Sequence, residues 1–275
     1  MAVPDHLYDA YIFDLDGTVY LGDALLPTAG ETLRKLRALG KRTVFLSNNP
    51  THSRHEYAEI LTSFGVPTPP EDIVNSSLVM VDFLQRRMPG GAVFVVGEQP
   101  LKDELSAAGF RLSEQAGEIE AVIASFDRTF DYAKLQTAFD AIRAGAHFYA
   151  TNGDRYCPVP GGGQPDAAAV IAAIEACTSH PVEAVVGKPS RYMAEAIFAL
   201  LELPPEACLM TGDRLETDVQ MGLLSGMDAA LTLTGATDAA TLAVSPVQPT
   251  YVVERLEELI PDLPPTPSLK GGGDK

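Results

Sequence analysis

The 275-residue chain carries 37 acidic against 20 basic side chains, a formal net charge of −17, and 46% of its residues are hydrophobic. That apolar share excludes a disordered chain, and the acidic balance with scattered Lys and Arg argues against nucleic acid or an anionic membrane as partner, since phosphate-backbone binding needs a basic surface. Three cysteines, Cys157, Cys177 and Cys208, with no CxxC and no companion histidine spacing, exclude a disulfide scaffold and a zinc site and read as small neutral thiols.

In chain order, Tyr8 to Phe13 reads as a short buried strand that ends on Asp14-Leu15-Asp16-Gly17-Thr18. Carboxylates at the C-terminal end of a parallel strand face the crevice where ligands bind in open α/β sheets. Asp-Gly alone would be a turn; two aspartates two residues apart after a buried strand point to chemistry. Val19 to Pro27 is a loop, and Thr28-Ala-Gly-Glu31 resembles a capping box opening a helix with Leu33, Leu36 and Leu39 inward. Thr43 to Leu46 is the next strand and delivers Ser47-Asn48-Asn49 to the same rim, because a right-handed crossover keeps consecutive strand ends together. Ser53 with Glu56 is a second capping box, before a helix buried through Tyr57, Ile60, Leu61 and Phe64.

From about Met80 the alternation continues through strands Ala92–Val96, Ala121–Ile123 and His147–Ala150, none of which ends in an acidic pair. Thr151-Asn152-Gly153-Asp154 follows the last of these, then a Gly/Pro-rich loop from Pro158 to Pro165. Roughly a hundred residues here form an inserted domain of ordinary size. Ala184 to Pro189 resumes the strand-to-loop pattern with Lys188 at its end, and Cys208 to Thr211 is a buried strand ending in Gly212-Asp213-Arg214-Leu215-Glu216-Thr217-Asp218. Asp218 falls in the first turn of an expected helix, where a carboxylate also suits the dipole. Ala229–Leu233 and Tyr251–Val253 complete the strands. With neither a basic-then-apolar leader nor a membrane-length apolar run, the expected location is cytoplasmic.

Four strand ends thus offer Asp14 and Asp16, Ser47 and Asn48, Lys188, and Asp213 and Asp218. Carboxylates converging in one crevice repel unless a cation sits among them, and an oxygen-only ligand set suits Mg²⁺. Ser47 and Asn48 add hydrogen-bond donors and Lys188 a point charge, a set that fits a phosphoryl group. A carboxylate can attack phosphorus to form an aspartyl phosphate, with Asp14 as nucleophile and Asp16 as the general acid and base.

On these residues the chain resembles the haloacid dehalogenase (HAD) superfamily of phosphohydrolases. Asp14-Leu-Asp16-Gly-Thr18 matches the first motif, Ser47 the second, Lys188 the third and Gly212-Asp213 to Asp218 the fourth. The resemblance implies an α/β fold, a Rossmann-like parallel-sheet core over 1–79 and 185–262 with an inserted α/β C2-type cap over 80–184, and a disordered tail over 263–275. It also implies Mg²⁺ held by the Asp14 carboxylate, the Asp16 backbone carbonyl and Asp213, with Asp218 supporting the metal site. The position of the insertion, Ser47-Asn48-Asn49, Thr151-Asn152-Gly-Asp154 and Val186 to Pro189 resemble subfamily IIA, the p-nitrophenyl phosphatase and NagD-like branch. That branch implies a small phosphorylated metabolite as substrate, contacted by Ser47, Asn48, Lys188, Asn152 and Asp154, and a homodimer paired through the cap. Sugar phosphates, glycerol phosphate, phosphoglycolate, pyridoxal phosphate and nucleotides all share the required phosphoryl end. A phospho-accepting signalling switch without turnover and a phosphotransferase are the alternatives. The chain departs from the branch at Gln164-Pro165-Asp166-Ala167-Ala168, where many relatives carry a glycine-rich turn. Asp166 is either a helix cap or an added carboxylate facing the substrate.

Overall fold

Alternation within one strand sets the layering: in Ala10–Asp14 all five residues are buried, with Tyr11 and Phe13 packing into one hydrophobic cluster and Ile12 into another. A strand covered on both faces belongs in the middle of a parallel sheet. The computed structural model describes residues 2–159 and 161–261, so the tail expected over 263–275 lies outside the described residues. The strands are β1 (Ala10–Asp14), β2 (Tyr20–Leu21), β3 (Ala24–Leu25), β4 (Arg42–Ser47), β5 (Ile73–Asn75), β6 (Ala92–Val96), β7 (Arg111–Leu112) and β8 (Ala121–Ala124). They continue with β9 (His147–Ala150), β10 (Tyr156–Val159), β11 (Gly162–Pro165), β12 (Ala184–Val185), β13 (Cys208–Gly212), β14 (Asp228–Thr232) and β15 (Tyr251–Val253). The principal helices are α1 (Ala29–Ala38), α2 (Arg54–Ser63), α3 (Ser76–Gln85), α4 (Gln99–Ala107), α5 (Tyr132–Arg143), α6 (Ala167–Thr178) and α7 (Arg191–Leu201).

Two parallel sheets result. The first runs β15-β14-β13-β1-β4-β5 and the second β12-β9-β8-β6-β7. Leu33 and Leu36 of α1 and Tyr57 and Leu61 of α2 cover one face of the first sheet. Val79, Met80, Phe83 and Leu84 of α3 with Met193, Ile197 and Leu201 of α7 cover the other, and the same cluster continues into Val93, Val95, Ile123 and Tyr149 of the second sheet. These two helices therefore lie between the sheets. The far face of the second sheet is closed by Ala138, Ala141 and Ile142 of α5 and Val170, Ile171 and Ile174 of α6. Among the described residues no helix is long and apolar enough to cross a membrane.

Several sequence expectations change. Ala184–Val185, read as the start of the returning core, pairs with Tyr149–Ala150 at the edge of the second sheet, so Lys188 does not follow a strand of the first sheet. A two-residue ladder is too short to be told apart by its apolar pattern. The stretch after Thr18 is a small β2–β3 hairpin, and the Gly/Pro-rich loop is a second hairpin, β10–β11. Leu215–Val219 is a π-helical turn in place of an ordinary helix start. Thr28 makes no cap: it sits at φ 67° with no side-chain cap bond, and its hydroxyl is buried without a partner among the described residues.

Ser53 and Glu56 do form the reciprocal capping box, with Glu56 N donating to Ser53 Oγ at 3.2 Å and Ser53 N to Glu56 Oε2 at 2.7 Å. Ser53→Ala should therefore lower stability by about 1 kcal/mol. Thr28→Gly should raise it by roughly 0.5–1 kcal/mol, since glycine adopts positive φ freely and removes the buried hydroxyl. Urea midpoints of the two variants, compared with the parent, check both signs.

Candidate active site

Asp14 closes β1 and is 7% exposed. Its chain then turns through Gly17 at φ +90°, where a Cβ would collide with the Asp213 carboxylate. Asp213 follows β13 on the neighbouring strand, and Gly235 packs so closely against it that a Cβ would overlap its carboxyl group. Gly212 likewise leaves room for the Asp218 side chain. Three glycines thus let three carboxylates meet: oxygens of Asp14, Asp213 and Asp218 lie within 4.8 Å of one another, all buried.

Lys188, 4% exposed, is the counter-charge. Its Nζ donates to Asp14 Oδ1 and, at 2.7 Å, to Asp218 Oδ1. Burial works against this ammonium, but the charges of Asp14 and Asp218 outweigh it and hold its pKa above that of a free lysine. Burial also pushes Asp14 up, opposed by Lys188 and reinforced by Asp218 and Asp213. Asp213 is pushed up to about 7 by burial and the Asp218 charge, against the Ala236 amide that donates to its Oδ2 at 2.5 Å. Its Oδ1 is buried with no hydrogen-bond partner among the described residues. An orphaned oxygen beside two further carboxylates is what a hard divalent cation would satisfy.

Lys188 reaches this point because Asn48 grips its backbone. Asn48 Oδ1 accepts Lys188 N at 2.7 Å, while its Nδ2 donates to Lys188 O at 3.3 Å and Asp154 Oδ2 at 3.1 Å. Every polar atom of that amide is engaged, so Asn48, expected as a phosphate donor, acts through its side chain as a clamp. Ser47 Oγ accepts from Asn49 N at 3.1 Å and meets Tyr57 OH at 3.0 Å; because Tyr57 OH donates to Asn49 O at 2.8 Å, Ser47 is the donor to Tyr57. Asn152 is fully buried and donates to Asp154 Oδ2 at 3.3 Å and Asp166 Oδ1 at 3.1 Å, which sets it behind the crevice wall.

Asp14, Asp16, Ser47, Asn48, Asp154 and Lys188 line one crevice of about 40 Å³ together with Asp166, Arg214, Tyr156 and Cys157. Asp16 is half-buried, and burial pushes its carboxyl up to about 6 against the pull of Lys188 and Arg214, a value suited to passing protons near neutrality. Asp16 with Asn49, Cys157 and Pro158 also borders a chamber of about 510 Å³ walled by Tyr20, Phe64, Phe126 and Val159. The two readings of Asp166 meet in one residue: its Oδ1 accepts Ala167 N at the start of α6, and it lines the crevice. Burial pushes the Cys157 thiol up to about 12, so it is neutral. Arg214, Tyr156 and Asn49 carried no expected role; only the adjacency of Arg214 to Asp213 could have flagged it.

A haloacid dehalogenase-like hydrolase model matches residues 11–111, and a second HAD-hydrolase-like model matches residues 185–259. The sugar-phosphatase AraL of Bacillus subtilis is 39% identical over 248 residues, covering 90% of each chain. The crystal structure of a 4-nitrophenylphosphatase from Thermotoga maritima superposes with a TM-score of 0.87 at 34% identity, covering 92% of this chain and 96% of that one. A glycerol phosphate phosphatase from Mycobacterium tuberculosis, solved in complex with magnesium, gives 0.85 at 30% identity, covering 94% and 78%. With its acidic cluster, its two parallel sheets and these relatives, the chain belongs to the haloacid dehalogenase-like hydrolases, in the capped subfamily IIA branch of phosphatases.

Proposed function

We propose that the chain hydrolyses small phosphorylated metabolites by way of a phosphoryl group carried on Asp14. One observation supports the reading above all others: the Lys188 ammonium joins Asp14 to Asp218 beside an Asp213 oxygen that lacks a partner among the described residues. Asp14 attacks phosphorus, the bond from phosphorus to the leaving oxygen breaks, and Asp16 gives that oxygen its proton. Asp16 then takes a proton from a water molecule as it attacks the phosphoryl-aspartate, which frees inorganic phosphate, restores the Asp14 carboxylate and returns Asp16 to its protonated form. Lys188 neutralises phosphoryl charge throughout, and the Ser47 hydroxyl rotates from Tyr57 to the same oxygens. Asp14, Asp213 and the Asp16 carbonyl, with Asp218 behind them, would hold Mg²⁺, which supplies further charge neutralisation at the phosphoryl oxygens.

The second sheet, with α4 to α6, is the cap, and we place its limits near residues 80 and 186. Its β10–β11 hairpin borders the chamber next to Asp16, so the organic part of the substrate lies there. At about 510 Å³ the chamber is of the usual size for a small-ligand site. The names of the relatives make sugar phosphates and glycerol phosphate the first substrates to test.

Asp14→Asn should reduce p-nitrophenyl phosphate turnover by at least about a thousandfold with an unchanged circular dichroism spectrum. Acid-quenched parent enzyme should retain phosphate on the Asp14 peptide by mass spectrometry; label elsewhere would overturn the nucleophile. For Asp16→Asn the loss should be about 10²- to 10⁴-fold on glycerol phosphate and distinctly smaller on p-nitrophenyl phosphate, whose leaving oxygen needs no proton. Equal losses would remove Asp16 from the acid role. Chelation should abolish turnover, and Mg²⁺ should restore it better than the larger Ca²⁺, because the site is small and oxygen-lined; full activity after exhaustive chelation would contradict the metal assignment.

A further inference from the structure

Arg214 follows Asp213 directly, yet its side chain leaves the carboxylate cluster and lies on the cap. Its Nη2 donates to the Tyr156 carbonyl at 2.9 Å, and the guanidinium carbon stands 4.9 Å from the centre of the Tyr156 ring. The same ring rests on β11: a Cβ at Gly163 would come within 2.7 Å of Tyr156 Cδ2. Glycine is thus the residue that lets the ring lie against the hairpin backbone, where the guanidinium meets it. Among the described residues, the other hydrogen bond from the first-sheet unit to this hairpin is long, 3.8 Å from Asn49 Nδ2 to Cys157 Sγ. Cys157 and Pro158, the next two residues, line both the crevice and the chamber beside Asp16.

We propose that Arg214 is a positioning residue for leaving-group selection: with Tyr156 and Gly163 it clasps the cap hairpin against the loop that carries Asp213, fixing the wall that the organic part of the substrate meets. The proposal rests on the phosphatase reading. A phosphate ester whose organic part must be enclosed depends on that wall. An activated acyl phosphate such as acetyl phosphate, small and with a good leaving group, depends on it little. The planar guanidinium suits the task because it can donate to a carbonyl and lie over a ring together, which an ammonium cannot do.

Arg214→Ala and Gly163→Ala should each lower kcat/KM for glycerol phosphate roughly tenfold more than for acetyl phosphate, chiefly through KM. Tyr156→Phe keeps the ring and should keep the parent's ratio between the two substrates, whereas Tyr156→Leu should lose it. Hydrogen exchange by mass spectrometry should quicken over the 156–165 hairpin in Arg214→Ala and stay unchanged over β6 and β8. Equal losses on both substrates with unchanged hairpin exchange would overturn the clasp and assign Arg214 to the phosphoryl group itself. Faster exchange with an unchanged substrate ratio would overturn the role in selection. Turnover of neither phosphate by the parent chain would overturn the phosphatase reading instead, while the exchange comparison decides the clasp in either case.

Discussion

The molecule depends on holding three buried carboxylates against one another. Two like charges about 4 Å apart repel by roughly 4 kcal/mol even at an effective dielectric constant of about 20, and Asp14, Asp213 and Asp218 present three such pairs. One ammonium cannot neutralise them. Lys188 reaches Asp14 and Asp218, and the Ala236 amide reaches Asp213, which leaves one Asp213 oxygen without a partner among the described residues. The arrangement stores a demand for positive charge that a divalent cation would answer. Glycine at 17, 212 and 235 is the steric condition for that demand, because a methyl group at any of the three would push a carboxylate out of the cluster.

Where the counter-charge comes from explains much of the chain's layout. Lys188 lies 174 residues from Asp14 and reaches it straight from an edge strand of the second sheet, where Val185 pairs with Ala150. The reactive ammonium therefore belongs mechanically to the junction between the two sheets. Asn48 makes the same point from the other side, since a single amide holds the Lys188 backbone and the Asp154 carboxylate of the inserted unit together. Between the sheets, Phe83 of α3 meets Tyr149 of the second sheet and Tyr192 of α7 edge-on at 4.9 and 4.8 Å, contacts that resist sliding of this base.

How far the sequence could be read follows from the range of each signal. β6, β9 and β15 match the apolar runs residue for residue, and the Ser53–Glu56 box forms as its spacing requires, because both depend on neighbours within a few residues. Asp14, Asp213 and Lys188 were legible for the same reason: each follows closely on an apolar run. What the residues hid was pairing over long distances. Nothing local distinguishes Ala184–Val185 as a strand of the second sheet, or shows that the Asn48 amide is consumed by Lys188 and Asp154. Thr28 carries the residue type of a cap, but its backbone adopts a left-handed conformation in which the hydroxyl caps nothing. Nothing local marks Arg214 either, because its partner, Tyr156, is 58 residues away in the β10–β11 hairpin.

Reaction and selection therefore use different mechanical supports. The groups that the proposed function assigns to the reaction hang on sheet ends and glycine turns buried almost completely, where a displacement of a single ångström would cost about a hundredfold in rate. The wall that the proposed function gives to the organic part of the substrate is a hairpin that carries Cys157 and Pro158 and is tied to the carboxylate loop chiefly at Arg214. Substitutions in that hairpin can reshape the chamber without moving Asp14, Lys188 or Asp213, because the Asn48 clamp lies at its root and not at its tip. Asp166 marks the boundary between the two regimes. It caps α6 through Ala167 and holds Asn152, which is structural, while presenting a buried carboxyl to the crevice, pushed up to about 7 by burial against the Ala167 amide. A group that both anchors the hairpin's return and lines the crevice cannot vary as freely as Tyr156 to Pro158, so divergence in substrate choice should run through those residues before it reaches Asp166.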